Sequence, residues 1–201
     1  MKILLARHGE TRWNAEGRYQ GQRDIALSEV GEAQARLLGE RLHDVEVTRA
    51  VASPLSRARR TAELAMSEHR AAQLRFDDGF QEIAHGEWEG LQAGRVAPET
   101  VQMPGGESLQ QVLDRAWPAL VRACEGLGAD DTLLVVAHDA VNRVLLCKVL
   151  GLPLQRRWSF RQAPTTINLL EGPDVDHLEV VRLNDCNHHT PLFGEAVHRA
   201  L

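Results

Sequence analysis

The chain has few cysteines, almost no lysine and no long hydrophobic run. Its three cysteines, Cys124, Cys147 and Cys186, are odd in number and lack Cys-x-x-Cys spacing, which argues against a disulfide framework and indicates a reducing compartment. No apolar stretch approaches the ~20 residues of a membrane-spanning helix. The first apolar run is too short for a signal peptide, because Arg7 follows it at once. We therefore expect a cytoplasmic protein with no membrane partner.

The sequence also lacks an excess of positive charge. Its net charge of −5 provides no global basic field for nucleic acid, so we expect no nucleic-acid partner and any anion site has to be local. With 43% hydrophobic and 25% charged residues in 201 positions, the composition is that of an ordinary globular protein. Because there is no internal repeat, low-complexity tract or linker, we predict a single domain over residues 1–201.

Strands and helices alternate along the chain. The run from Lys2 to Ala6 is continuously apolar, as in buried strands of parallel sheets. The same patterns predict further strands at 47–53, 131–139, 165–171 and 177–185, and helices at 27–42, 53–65, 105–124 and 140–150. Such alternation implies right-handed crossovers and a mainly parallel sheet covered on both faces. The predicted fold class is α/β, with three α/β/α layers.

The predicted helix ends rest on local signals. Ser28 is placed to cap the first long helix, and Ser53, followed by a proline at the first helical position, to cap the second. Glu107 or Ser108 lies near the cap of the third helix. Pro118 inside that helix predicts a kink or a break.

Basic side chains and imidazoles follow three of these strands. The first strand ends in Arg7 and His8, the second is followed one helical turn later by Arg57, and the third ends in His138. Ligands in α/β sheets bind beyond the carboxyl ends of the strands, so we expect these four residues to converge. Two arginines and two imidazoles make a pocket for phosphate. No acidic cluster accompanies them, and we therefore expect neither a metal nor another cofactor.

Such a pocket suits phosphoryl transfer to an imidazole. The imidazole has to be neutral, and flanking arginines favour this because they penalise the imidazolium. A leaving alkoxide also needs a proton, and Glu82, Glu87 and Glu89 are candidate acids in the stretch FQEIAHGEWEG. Like charge from a bound phosphate raises the pKa of a nearby carboxyl and keeps its proton available.

Six motifs stand in the order of a known family. RHGETRWN, LSEVGEAQA, SPLSRARRTAE, EIAHGEWEG, PGGES and VVAHDAVNRVLL resemble the histidine phosphatase superfamily, the cofactor-dependent phosphoglycerate mutase-like family. The resemblance is strong over about residues 1–150 and weak beyond. It implies a phosphoglycerate mutase-like version of the predicted sandwich.

The resemblance also assigns roles to individual residues. His8 matches the nucleophile that becomes phosphohistidine, and Glu82, not its two neighbours, matches the proton donor. Arg7, Arg57 and His138 match the groups that contact the phosphoryl group. The positions that match substrate contacts are Asn14, Gln20 and Gly21.

Asp139 departs from the family pattern, which usually has a small residue after the second histidine. An aspartate pointing into the pocket would repel phosphate and change its affinity or the pH optimum. We expect Asp139 to cap the following helix instead. Asn142 is a second departure, because an apolar residue is common there.

The reaction depends on what covers the site. A mutase excludes water beneath inserted segments and holds a second phosphate with additional basic residues. Here only thirteen residues, 91–103, separate GEWEG from PGGES, and Arg95 is their sole cation. This favours a metal-independent phosphatase for a small cytosolic ester, such as phosphoserine, a phosphorylated sugar acid like glucosyl-3-phosphoglycerate, or α-ribazole phosphate. A mutase is the alternative, and a silent phosphate-binding module is a weaker one.

Three further points stay open in the sequence. His85 either lines the site or packs beside it. Cys186, His188 and His189 show no zinc-ligand spacing and are interpreted as a surface cluster. A partner subunit in a homodimer could cover so exposed a site.

Overall fold

A six-stranded sheet forms the middle layer of the protein. The computed structural model describes residues 1–69, 72–93 and 103–189. Its strands are β1 (Lys2–Arg7), β2 (Arg49–Ala52), β3 (Gln73–Phe76), β4 (Thr132–Ala137), β5 (Ile167–Glu171) and β6 (Glu179–Asp185). Their order is β3-β2-β4-β1-β5-β6. The first four are mutually parallel, whereas β5 pairs antiparallel with β1 and β6 pairs antiparallel with β5.

Helices cover both faces of this sheet. They are α1 (Arg12–Ala15), α2 (Glu29–Leu42), α3 (Ser56–Ala65), α4 (Leu109–Cys124) and α5 (Asp139–Val149), with 3-10 turns at Asp78–Phe80, Gly86–Trp88, Leu154–Ser159 and Val175–His177. Alternate residues of β1 enter different cores: Leu4 packs with α2 and α3, and Leu5 with α4 and α5. The predicted three-layer fold is confirmed. None of the helices in these ranges has the length and apolar character needed to span a bilayer.

Several helix ends agree with the sequence signals. Ser28 accepts a hydrogen bond from the Gly31 amide at 3.0 Å and caps α2. Ser108 and Gln111 form a reciprocal capping box at the start of α4. The α4 helix runs through Pro118 without interruption, so the predicted break is wrong. Its buried face packs in the core and keeps the helix continuous.

Near β2, one local prediction is wrong and one strand was not predicted. Ser53 does not cap α3: its amide still bonds to the β4 residue Val136 at 3.0 Å, and its hydroxyl accepts from Leu55 in a local turn. Leu55 is the residue that precedes the helix, and no side chain caps it. The strand β3 was not predicted, because its polar–apolar alternation covers only four residues, QLRF, and most of its side chains are exposed at the sheet edge.

The loop after β1 is held against α2 by a close backbone approach. A Cβ atom at Gly31 would lie 2.0 Å from the Glu10 carbonyl oxygen, and one at Gly9 would lie 2.5 Å from the Gly31 carbonyl oxygen. Ser28 donates its amide hydrogen to the same Glu10 carbonyl at 2.9 Å. The beginning of α2 therefore fixes the loop that follows Arg7 and His8.

Replacing Gly31 with alanine is expected to destabilise the protein, although alanine is the better helix former. The clash with the Glu10 backbone should cost about 3 kcal/mol, at the upper end of typical overpacking, because the Cβ would lie only 2.0 Å from the carbonyl oxygen. That exceeds the ~1 kcal/mol that alanine gains over glycine inside a helix. Urea unfolding measures the difference. Gly128→Ala is the control, because its nearest contact would be an ordinary 3.5 Å to Asp131. Unchanged or higher stability of Gly31→Ala would contradict the close approach.

Candidate active site

Two histidines meet where neighbouring strands end. His8 follows β1 and His138 follows β4, and the His8 amide still donates to the Ala137 carbonyl at 3.0 Å. The two rings are 5.1 Å apart between centroids, and both residues are buried. The parallel pairing of β1 with β4 thus brings together two imidazoles that are 130 positions apart in the sequence.

The hydrogen bonding of His8 fixes its tautomer. Its Nδ1 lies 2.6 Å from the Gly9 carbonyl oxygen, which can only accept, so Nδ1 carries the hydrogen and Nε2 keeps its lone pair. Burial lowers the pKa of His8 well below its ordinary value, and the charges of Arg57 and Arg7 lower it further. His8 is therefore a neutral imidazole with a nucleophilic Nε2.

Arg57 is fully buried and shares its donors between the backbone and the site. Nη1 donates to the Arg23 carbonyl at 2.8 Å, and Nη2 donates to the Gly21 carbonyl at 2.7 Å. Burial lowers the pKa of Arg57 to about 10, so the guanidinium stays charged at neutral pH. Arg57 fixes the 21–23 loop while its charge acts on the imidazoles.

Arg7 is held from behind by a buried amide network. Its Nη1 donates to the Gln162 carbonyl at 2.5 Å. The Gln162 side-chain oxygen accepts from Asn142 at 3.2 Å and from Asn168 at 2.9 Å, and its amide donates to Asn168 at 3.0 Å. All three amide residues are at most 1% exposed. Sequence reasoning missed Gln162 and Asn168, and the unusual amide at Asn142 was the only signal of this network.

Polar atoms at the centre of the site have no partner among the described residues. These atoms are Nε of Arg7, Nε of Arg57 and both ring nitrogens of His138, all of them buried. Buried polar groups are costly unless hydrogen-bonded, so their convergence indicates a polar ligand. Burial lowers the pKa of His138 well below its ordinary value, and electrostatic interactions with Arg57, His8 and Arg7 lower it further. Two cations and a neutral imidazole suit a phosphate dianion.

Glu82 supplies a carboxyl group beside these bases. It is 8% exposed, and its Oε1 accepts from the Ile83 amide at 2.9 Å. Burial raises its pKa, and the negative charge of Asp139 adds to the effect. Arg115 fixes the segment by donating to the carbonyls of Gln81 at 2.6 Å and Glu82 at 3.0 Å. The protonated form, which can act as an acid, is thereby favoured.

The other predicted substrate contacts are occupied within the protein. Gln20 Oε1 is 2.8 Å from the Thr11 hydroxyl, and Asn14 Oδ1 accepts from the Thr11 amide in a capping box. Gly21 presents its carbonyl to Arg57. These residues shape the loops at the site, and the Asn14 amide NH₂ remains a donor that a ligand can use.

Glu87 lies at the surface, whereas Glu89 and His85 support the site. Glu87 is exposed. Glu89 accepts from the amides of Gln22 at 3.0 Å and His85 at 3.2 Å, so it joins the 20–24 loop to the Glu82 segment. The His85 ring lies 4.9 Å from that of Tyr19, and burial lowers its pKa to about 4. His85 packs as a neutral ring at the side of the site.

Asp139 does not cap α5, so that prediction is wrong. The capping position belongs to His138, whose side chain makes no cap bond, and Asp139 is the first helical residue. Its Oδ2 accepts from Arg143 Nε at 2.8 Å, and its Oδ1 lies 3.7 Å from Arg7 Nη1. Arg143, one turn along α5, draws the carboxylate to the side of the helix. There it lies against Arg7, a predicted phosphate contact.

The described residues contain no group of three histidine, cysteine or acidic side chains placed to hold a metal ion. In the CNHHTP stretch, His188 and His189 pack edge to face with ring centroids 4.6 Å apart. His188 Nε2 is 3.3 Å from the Thr165 hydroxyl. The positive charge available to an anion at the site comes from arginine.

Comparisons with known proteins agree with this geometry. The model of the histidine phosphatase superfamily (branch 1) matches residues 3–186. Phosphoserine phosphatase 1 of Hydrogenobacter thermophilus is 32% identical across the whole of both chains. A protein of Salmonella choleraesuis named probable phosphoglycerate mutase GpmB is 35% identical and covers 92% of this chain and 98% of its own.

Solved structures share the same fold. A mycobacterial glucosyl-3-phosphoglycerate phosphatase in complex with VO3 has a TM-score of 0.82 and 27% identity. The match covers 91% of this chain and 98% of that chain. Bacillus stearothermophilus YhfR has a TM-score of 0.78 and 29% identity, over 93% of this chain and 98% of its own.

The buried neutral histidines predict a loss of stability in acid. A histidine whose folded pKa is lowered binds fewer protons folded than unfolded, so stability falls as pH drops through the unfolded value near 6.5. Between pH 7 and pH 5 the unfolding free energy of His138→Gln should therefore fall less than that of wild type. The difference should be on the order of 1 kcal/mol. Glu82 changes stability with pH in the opposite direction, but it is present in both proteins. The difference between them therefore isolates His138. Urea unfolding at both pH values measures it.

His177→Gln is the matched control. Its partner Asp174 raises the pKa of His177, so removing this exposed imidazole should steepen the acid loss. Equal pH dependence of wild type and His138→Gln would contradict a buried, neutral His138.

Proposed function

The chain belongs to the histidine phosphatase superfamily (branch 1), and we propose that it hydrolyses small phosphate monoesters through a phosphohistidine on His8. One observation carries the proposal. A buried, neutral His8, with its Nδ1 hydrogen donated to Gly9, is flanked by the charges of Arg7 and Arg57. This is the state that a nucleophile on phosphorus needs.

In the first step Nε2 of His8 attacks phosphorus, and the bond between phosphorus and the ester oxygen breaks. Arg7, Arg57 and His138 hold the phosphoryl oxygens and balance the charge that develops on them. Protonated Glu82 donates its proton to the departing alkoxide, so an alcohol leaves. The arginines take the place that metal ions occupy in other phosphoryl transfers.

In the second step water attacks the phosphorus of phosphohistidine. The Glu82 carboxylate formed in the first step takes a proton from this water, and the bond to Nε2 breaks. Inorganic phosphate leaves, His8 is again neutral and Glu82 is again protonated. Both proton transfers use one carboxyl group, whose raised pKa fits it to act as acid and then as base.

Hydrolysis is favoured over a mutase reaction by the shortness of the segment between the GEWEG and PGGES motifs. Only thirteen residues, 91–103, separate these two motifs. Of these, residues 94–102, with Arg95, lie outside the described part of the chain. Relatives with phosphatase names support the same choice. A silent binding module is disfavoured because every position of the catalytic motif is filled.

Three finer expectations belong to this proposal. The named activities of the relatives suggest phosphoserine and glucosyl-3-phosphoglycerate as first candidate esters. Cys124, Cys147 and Cys186 are all unpaired, which supports a reducing compartment such as the cytoplasm. A homodimer, the absence of a nucleic-acid partner and a single domain over 1–201 stay predictions.

His8→Ala is expected to lower kcat for p-nitrophenyl phosphate by about 10³-fold or more, as loss of other catalytic nucleophiles does. Turnover of a ³²P-labelled ester by wild type is stopped with a denaturant that contains no acid. The label should then be found on a peptide containing His8. Activity should persist in excess EDTA. The exposed His43→Ala variant is the control and should retain activity. Label on another residue, or full activity of His8→Ala, would contradict the mechanism.

Glu82→Gln should distinguish esters by their leaving groups. We expect kcat/KM, which reports phosphoryl transfer to His8 and not the later attack of water, to fall by about 10²-fold or more for alkyl phosphates, which need a proton on the leaving oxygen. The loss should be much smaller for p-nitrophenyl phosphate, whose leaving group needs no acid. In wild type, kcat/KM for alkyl phosphates should fall as pH rises through the raised pKa of Glu82, and this fall should be absent in Glu82→Gln. Glu87→Gln is the control, and equal losses on both esters would exclude Glu82 as the acid.

A further inference from the structure

The carboxylate of Asp139 lies beside the phosphate-binding groups and retains an open edge. Its residue directly follows His138, and its Oδ1 is 3.7 Å from Arg7 Nη1. Oδ2 accepts from Arg143, but Oδ1 accepts no hydrogen bond from any residue that the structure describes. The side chain keeps 18% of its surface exposed. Oδ1 is therefore available to a donor on a bound ligand.

Arg143 holds this carboxylate in place. The Arg143 side chain is only 6% exposed, and its Nη1 donates to the carbonyls of Arg157 and Phe160. Its guanidinium also stacks on the Trp158 ring at 4.5 Å. Because Arg143 is fixed by these contacts, Asp139 cannot swing away from Arg7 without breaking its 2.8 Å bond.

Two carboxylates, those of Asp139 and Glu89, lie around the site. Asp139 contributes to the raised pKa of Glu82 and opposes the lowering of the pKa of His85, so its field reaches across the site. Glu89 adds a second carboxylate, and its nearest cation, Arg23, is already paired with it at 3.3 Å. Arg7 and Arg57 are taken by the phosphate in the proposed mechanism. A second anionic group on a substrate would thus meet carboxylates.

We propose that Asp139 binds a positively charged amino group on the alcohol part of the substrate, so that the preferred esters are phosphates of amino alcohols. The inference rests on the proposed function and specifies its substrate class. An ammonium N–H donates to Oδ1 in a charge-assisted hydrogen bond, while phosphate lies on the adjacent Arg7. The same carboxylate repels an alcohol part that carries a carboxylate and no amino group, so of the two candidate esters named above the inference favours phosphoserine over glucosyl-3-phosphoglycerate.

Three esters of similar size test this without any variant. They are 2-aminoethyl phosphate, with a cationic end, propyl phosphate, with a neutral methyl in the same place, and phosphoglycolate, with an anionic end. We expect kcat/KM for 2-aminoethyl phosphate to exceed that for propyl phosphate by about tenfold, as for one hydrogen bond to a charged group. Phosphoglycolate should be the poorest of the three. Equal values for the first two esters would overturn the inference.

Asp139→Asn then assigns the preference to this side chain. The amide keeps the size and one acceptor for Arg143 but removes the charge. The preference for 2-aminoethyl over propyl phosphate should fall by about tenfold, and phosphoglycolate should improve relative to propyl phosphate. Glu87→Gln removes an exposed charge from the Gly86–Trp88 turn and should leave both ratios unchanged. If Asp139→Asn changed kcat/KM by the same factor for all three esters, Asp139 would act only through Arg7 and Glu82. That result would overturn the inference.

Binding separates this inference from the proposed function. Calorimetry with 2-aminoethylphosphonate and propylphosphonate measures the amino-group contact in the absence of turnover. Tighter binding of the amino compound to wild type, with the difference lost in Asp139→Asn, supports the contact even if no ester is hydrolysed. Failure to hydrolyse any ester, including p-nitrophenyl phosphate, would contradict the proposed function alone. Equal binding of the two phosphonates would contradict the amino-group contact alone.

Discussion

A neutral imidazole buried between two guanidinium groups is the constraint on which the site depends. Burial and positive charge act together on His8, so the ring loses its proton at a pH where an exposed histidine would be partly charged. Buried guanidinium groups need acceptors of their own, because an unpaired charge in the interior is costly. Much of the surrounding structure supplies these acceptors without adding a negative charge next to the phosphate.

Backbone carbonyls serve the two arginines in this way. Arg57 donates to Gly21 and Arg23, and Arg7 donates to Gln162. A carboxylate in the same positions would compete with phosphate for the arginines and would raise the pKa of His8. Carbonyl oxygens satisfy the hydrogen bonds and leave the formal charge of the arginines for the ligand. The 20–24 loop and the loop before β5 are therefore part of the site, even where their side chains face elsewhere.

The sequence predicts the parts of the fold that depend on local pattern. The apolar runs that became β1 and β4 identified the strands, and the polar residues directly after them identified His8 and His138 as neighbours. The edge strand β3 has no such run: its four residues, QLRF, alternate, but the stretch is too short and too exposed to indicate a buried strand. The predicted cap at Ser53 was wrong for a different reason: the hydrogen bonding of β2 to β4 continues through the Ser53 amide, one residue past the end of the strand.

The supporting network of the site could not be predicted from the sequence. Asn142, Gln162 and Asn168 belong to α5, a loop and β5, and only the antiparallel pairing of β5 with β1 brings them behind Arg7. Backbone acceptors leave no mark on residue type, so the partners of Arg57 were equally hidden. The family motifs give the side chains of the proposed mechanism, whereas the contacts that hold them follow from the topology.

Asp139 shows how one charge affects both halves of the proposed chemistry. Its negative field weakens the attraction of Arg7 for phosphate, which by itself would be a disadvantage. The same field raises the pKa of Glu82 and so preserves the proton that the leaving alkoxide needs. Arg143 neutralises the charge on the side away from the site, which limits the repulsion of phosphate. The carboxylate thus weakens binding of the ester somewhat and improves departure of the alcohol, and an amino group on that alcohol would recover the lost attraction.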